Sequence, residues 1–187
     1  MGMSRMFSVF ATLLMVGASG LTYGADKKLV ARQKPLEFKG LQIGKMVSRE
    51  EVKEATGIAC EDGHETISVC NGRVSIATVG GMANIVLSRA GVLERVAISI
   101  DSEDFDGVFL ALVEKFGNPQ RLSEPILQNG YGATFKDLRA IWTRPQGVQL
   151  EVRRFPDTTQ SSIVMFTTAA DRRPKAGQSD KERAADL

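Results

Sequence analysis

Histidine and tryptophan occur once each in 187 residues, and tyrosine and cysteine twice each. A Ser–His–Asp triad or a metal site therefore has one imidazole to draw on, His64, and no G-x-S-x-G elbow accompanies it. Two cysteines cannot build a multi-bridged framework, and the C-x-x-C spacing of a redox pair is missing. No G-x-G-x-x-G fingerprint occurs. The longest apolar run falls short of the ~20 residues a transmembrane helix needs. Excess charge of either sign is also lacking, with 24 basic and 22 acidic side chains. That balance excludes a strongly basic nucleic-acid binder or a partner of anionic membranes.

What is present begins with an address. Arg5 is the only charge before Asp26. The apolar run Phe7 to Val16 follows it, then the small residues Ala18-Ser19-Gly20 and Thr22-Tyr23-Gly24-Ala25. This order reads as a secretory signal peptide over residues 1–25. No cysteine stands near the cut, so a lipoprotein anchor is not expected. Removing 25 of 187 residues leaves 162, and 23 basic against 22 acidic groups. That length suits one domain with a sizeable core. The chain is expected to be periplasmic or secreted, with no stable membrane span after cleavage. In that compartment Cys60 and Cys70 are expected to form one disulfide. Closing so short a loop stabilises a fold by roughly 2–3 kcal/mol.

The charged lead-in Asp26 to Lys34 has no periodicity. Leu36-Glu37-Phe38 predicts a short strand before Gly40. Ser48-Arg49-Glu50-Glu51 is a capping box, flanked by Val47 and Val52 at staple positions. Gly57 can end that helix in a left-handed conformation, so Arg49 to about Thr56 is helical. Three strand-like runs follow: Arg73 to Val79, Met82 to Ser88 after a break at Gly80-Gly81, and Leu93 to Ile100. Phe105, Val108, Phe109, Leu112, Val113 and Phe116 then share one helical stripe, capped by Asp101 or Ser102 and stopped by Gly117 and Pro119. The residues Gln120 to Gly132 read as a polar connector. Leu138 to Arg144 and Val148 to Arg154 make a hairpin around Pro145-Gln146-Gly147, in which Gly147 takes the positive φ. Ser162 to Thr168 is a last strand. Residues 170–187 read as a disordered tail.

The expected fold is α+β: two αβββ halves, 36–100 and 101–169, in a single domain of residues 36–169, with an antiparallel sheet and both helices on one face. Chemistry is scarce. Glu61-Asp62-Gly63-His64-Glu65 reads as a solvated loop more readily than a metal site. Gly40 to Lys45 imitates a phosphate loop with the wrong spacing, and Met46 stands where a magnesium-binding hydroxyl belongs. No cofactor is expected. Tyr131 and Trp142 are the aromatics that could anchor a partner. Alternation puts Trp142 on the face opposite Ile141, where core packing competes with that role.

The segment Phe38-Lys39-Gly40-Leu41-Gln42-Ile43-Gly44-Lys45-Met46-Val47-Ser48-Arg49-Glu50-Glu51-Val52 resembles the opening of SmpA/OmlA-type small proteins of outer-membrane assembly. It resembles more loosely the tandem modules of β-lactamase inhibitory proteins. The stretch Leu112 to Pro119 ends its helix in a similar Gly-x-Pro manner. The resemblance spans Phe38 to Pro119 and implies a non-catalytic binder of other proteins, without the lipidated cysteine of the first group. Three functions follow as expectations: binding of another envelope or secreted protein as an assembly factor, adaptor or inhibitor; carriage of a small ligand or lipid beside the helix Phe105–Phe116; and a hydrolase or metal enzyme built on His64.

Overall fold

The computed structural model describes residues 33–63, 67–128, 131–156 and 159–172. The expected signal segment 1–25, His64 and the tail from residue 173 onward lie outside the described residues.

Described first is a two-strand hairpin, β1 (Glu37–Phe38) and β2 (Leu41–Gln42). Its turn is made by Lys39 and Gly40, both at positive φ. Leu36, Phe38, Leu41 and Ile43 from this hairpin enter the core. Helix α1 (Arg49–Thr56) starts as its local chemistry requires. The Glu51 N–H donates to Ser48 Oγ at 3.1 Å, and the Ser48 N–H donates to Glu51 Oε2 at 2.7 Å. Gly57 closes the helix at φ 78°. Val52 is fully buried, and Val47 is buried beside the cap.

A short strand β3 (Glu61–Asp62) precedes the meander β4 (Ser68–Ile76), β5 (Val79–Leu87) and β6 (Leu93–Asp101). The Cys60–Cys70 disulfide is formed and ties the approach to β3 onto β4. Helix α2 (Phe105–Phe116) follows a single 3-10 turn. The sequence beyond it forms β7 (Arg121–Ser123), β8 (Ile126–Gln128), β9 (Thr134–Lys136), β10 (Arg139–Thr143), β11 (Gln149–Arg153) and β12 (Ser161–Thr167). The described residues form a mixed fold, mostly sheet, with two α-helices. Eight strands form one antiparallel sheet in the order β3-β4-β5-β6-β12-β11-β10-β7. β8 and β9 pair separately.

Register places one buried residue of each long strand in a single transverse row: Cys70, Ile85, Val96, Phe166, Leu150 and Trp142. The next row is Gly72, Ala83, Ile98, Val164, Val152 and Ala140. Val52 of α1 and Phe105, Val108, Leu112 and Phe116 of α2 belong to the same core cluster as these rows. Phe109 and Val113 complete the α2 stripe as partly buried neighbours. Leu93 joins the buried face although Val96 lies three residues on, because a bulge between Val86 and Leu87 resets the alternation.

Three local expectations need correction. The first meander turns at Ala77 and Thr78, both left-handed at φ 47° and 71°, and Gly80-Gly81 lies inside β5. Gly81 is a glycine because a Cβ there would come within 2.8 Å of the Ser99 carbonyl and 2.9 Å of Ile98 Cγ2. Its reason is a close neighbour, not a turn. The connector after α2 is not free of structure: β7 pairs with β10, and β8 opens a small hairpin. Neither Asp101 nor Ser102 caps α2 through its side chain; the Ser102 hydroxyl donates to the Thr159 carbonyl. Arg172 donates through its guanidinium to the carbonyls of Thr167 and Gly147.

Candidate functional site

Each long strand sends alternate residues away from the helices. On that outer face one row runs Arg73, Met82, Ser99, Ile163, Arg153, Arg139 and Ser123. The neighbouring row runs Asn71, Asn84, Ala97, Met165, Glu151, Ile141 and Arg121. The helices bury their apolar residues in the core on the other side, so among the described residues no helix covers this face. Its centre is apolar, with Ala97, Ile163 and Met165 half-buried between polar flanks.

The two flanks differ. On the β4–β5 side, Asn84 Nδ2 donates to Asn71 Oδ1 at 2.7 Å. On the β7–β10–β11 side, arginines gather. Arg139 stands directly opposite Arg153, and Arg121 lies opposite Ile141 one strand out. Like charges directly opposed across two strands are destabilising. Two carboxylates offset this in part. Arg139 Nε lies 2.8 Å from Glu151 Oε1. Arg153 Nη2 lies 3.6 Å from Asp137 Oδ2, and that buried carboxylate also accepts from the Phe155 N–H at 2.9 Å. Arg121 has no ion pair among the described residues, and the enclosed Arg153 Nε has no hydrogen-bond partner. This is a basic surface on a chain of nearly balanced charge, and it can engage carboxylates.

The aromatic candidates separate cleanly. Trp142 is 0 % exposed, and its indole Nε1–H donates to the Gly117 carbonyl at 2.7 Å. It packs against Phe109 and braces the end of α2, so no partner can touch it. Tyr131 is 98 % exposed, beyond β8. Ile126 in β8 is 70 % exposed and Leu122 in β7 is 57 % exposed, so the edge next to the arginines also presents apolar surface.

Two of the depressions among the described residues could hold a ligand. A cleft of about 320 Å³ lies between the β1–β2 hairpin, the end of β4 and α2, with Phe38, Ile76, Leu112, Phe116 and Phe166 in its walls. Lys115 at its edge pairs with Glu37 at 3.1 Å. A more polar groove of about 510 Å³ lies around Arg73, Gly81, Met82, Asp101 and Asp104. Among the described residues no three His, Cys, Asp or Glu side chains gather as a metal site.

Arg144 is buried with its charge. Burial pushes its guanidinium below the ordinary arginine range. It donates to the carbonyls of Lys34 at 2.8 Å, Phe116 at 3.0 Å and Thr143 at 3.2 Å. The Phe116 carbonyl is at the negative end of α2, where a cation is favoured. This arginine is a structural clamp joining the lead-in, α2 and β10.

The arginine cluster was missed in the sequence, though a signal existed. Arg144 and Val148 close the hairpin through the Arg144 N–H and the Val148 carbonyl. Counting outward from that closure brings Arg139 opposite Arg153. Compared with known proteins, the chain matches no family model, no curated protein and no solved structure.

Proposed function

We propose that this chain is an exported, non-catalytic protein that binds another envelope or secreted protein through the helix-free face of its sheet. Assembly factor, adaptor or inhibitor are the roles this suits. The carrying observation is that face itself: an apolar centre, one amide flank and one arginine flank, on strands fixed from behind by a continuous core. Protein interfaces favour such a mixture, with arginine enriched and apolar groups at the centre. The Cys60–Cys70 bridge supports an oxidising compartment, hence the periplasmic or secreted setting. No helix among the described residues is long and apolar enough to cross a membrane. The plan of two αβββ halves is supported by a helix preceding each three-stranded meander, and by the pairing of β6 with β12 where the meanders meet. That plan keeps the resemblance to SmpA/OmlA-type proteins and β-lactamase inhibitory proteins a working guide. The test is a photo-crosslinking residue at position 163, 165 or 99 in cells making the full chain. A discrete protein adduct is expected, and its absence at all three positions overturns the reading.

A second reading, carriage of a small apolar ligand, is favoured by the cleft at Phe38 and Phe116. Its volume is at the lower end for ligand pockets, ~300–1,000 Å³. Solvent extraction of natively purified protein should then release a bound compound. Ala111→Trp, which narrows the cleft, should abolish its recovery.

A further inference from the structure

We infer that the partner meets this face with an acidic protein segment, whose carboxylates seat on Arg121, Arg139 and Arg153. The inference rests on the protein-binding reading and names the chemistry of the partner.

Three observations carry it. First, the register opposes Arg139 to Arg153, an arrangement that disfavours the isolated fold and gains nothing in the core, because both side chains point away from it. Local conflicts of this kind mark places where a sequence serves something besides folding. Second, the compensation is incomplete. Glu151 and Asp137 engage one arginine each, the Asp137 contact is long at 3.6 Å, and the exposed Arg121 has no ion pair among the described residues. A guanidinium offers five donors, so each of the three has donors to spare. Third, the basicity is local. The whole chain carries a formal charge of only +2. The other strand acids on this face, Glu61 and Asp101, belong to β3 and β6, away from the cluster.

The surroundings choose a protein over a polyphosphate. Glu151 stands inside the cluster and the half-buried Ile163 and Met165 lie beside it, so a phosphate chain would meet a carboxylate and apolar side chains. A protein segment that alternates acidic and apolar residues matches that pattern. Arg–carboxylate contacts of this kind are charge-assisted and can be bidentate. They also make association steep in salt.

The test joins the crosslinking residue at position 163 to charge variants of the full chain. In Arg121→Glu and Arg139→Gln chains the protein adduct should fall at least tenfold, while Arg73→Glu, on the other flank, leaves it within twofold. Arg139→Gln removes the opposed charge together with the Glu151 ion pair, and its amide can still donate to Glu151, so the thermal midpoint should stay near the parent's as the adduct is lost. The purified chain should also bind the peptide acetyl-Glu-Val-Glu-Leu-Glu-Val-Glu-amide, with amide shifts along β10 and β11. Its lysine counterpart, inorganic polyphosphate and phosphatidylglycerol vesicles should not displace it. If the adduct persists undiminished in both arginine variants, the acidic-partner inference falls and the protein-binding reading stands. If no protein adduct forms on the unmodified face, both fall. If polyphosphate or the vesicles compete with the peptide, the cluster serves a different anion and the inference is overturned.

Discussion

The two wings of the sheet solve one packing problem by different means. The β3–β6 wing is covered by the eight-residue α1, which contributes one fully buried residue, Val52. Space there is closed by bringing backbone near. Gly72 leaves room for Ile58, whose Cγ1 would lie 2.9 Å from a Cβ at that position, and the disulfide fastens the approach to β4. The β12–β7 wing is covered by the twelve-residue α2 and closed with large side chains. Trp142 contacts Phe109, Phe116 meets Phe166 edge-on, and Phe105 stacks with Phe109. A small helix needs glycines and a covalent staple, and a larger one can bury rings. Outside, the contrast continues: the stapled wing shows amides, and the aromatic wing shows opposed arginines.

The largest test of this contrast is Trp142→Ala. It empties the centre of the aromatic wing and leaves the Gly117 carbonyl without its donor. The expected loss is about 3–5 kcal/mol by denaturant unfolding. Reducing the disulfide should cost less, about 2–3 kcal/mol for a separation of ten residues. Mass spectrometry should show the two-hydrogen difference on reduction. A disulfide loss larger than the tryptophan loss would reverse the ranking of the wings and put the staple at the centre of stability.

The wings also differ in how readable they were. The stripe from Phe105 to Phe116 repeats at helical spacing, so α2 was visible from periodicity alone, whereas alternation put Trp142 opposite Ile141 without deciding that this face is the core, where the structure buries it. The start of α1 was visible because a capping box is chemistry within four residues. The stapled wing misled at Gly80-Gly81. Glycine is a turn signal locally, yet Gly81 answers to Ser99 and Ile98, residues on the next strand. The true turn uses Ala77 and Thr78, which carry no turn signal. Likewise β7 looks polar and irregular because its order depends on β10, with Ser123 opposite Arg139, sixteen residues further along the chain. Neither that pairing nor the junction of β6 with β12 has a local signature. The binding face was the least legible part, since it requires the register of several strands at once.

The turn of the stapled wing offers a third test. Left-handed backbone at Ala77 and, more so, at the β-branched Thr78 stores strain. Asn-Gly is the favoured pair for a two-residue turn with both φ positive. Ala77→Asn combined with Thr78→Gly should therefore stabilise the protein by about 1 kcal/mol, read as a higher denaturation midpoint with an unchanged slope. A loss of stability would mean that the strain is offset by contacts of the Thr78 side chain.

The smallest effect belongs to the cap of α1. The Ser48 N–H, and secondarily the Ser48 hydroxyl, hold the Glu51 carboxyl below its ordinary range. A carboxyl depressed in the folded state favours folding above its unfolded pKa, and that contribution disappears as pH falls through the folded value. Glu51 is fully exposed, so the difference is small and screened by salt. Glu51→Gln should lower the thermal midpoint slightly at pH 7, and the gap to the parent should close as the solution is taken below the carboxylate range. A gap that stays constant would assign the cap's contribution to hydrogen-bond geometry rather than charge. Because the cap lies on the stapled wing, whose helix buries little, even this small term should register there. The same change of charge in the first turn of α2, Asp106→Asn, should be dominated by loss of the Arg154 contact instead.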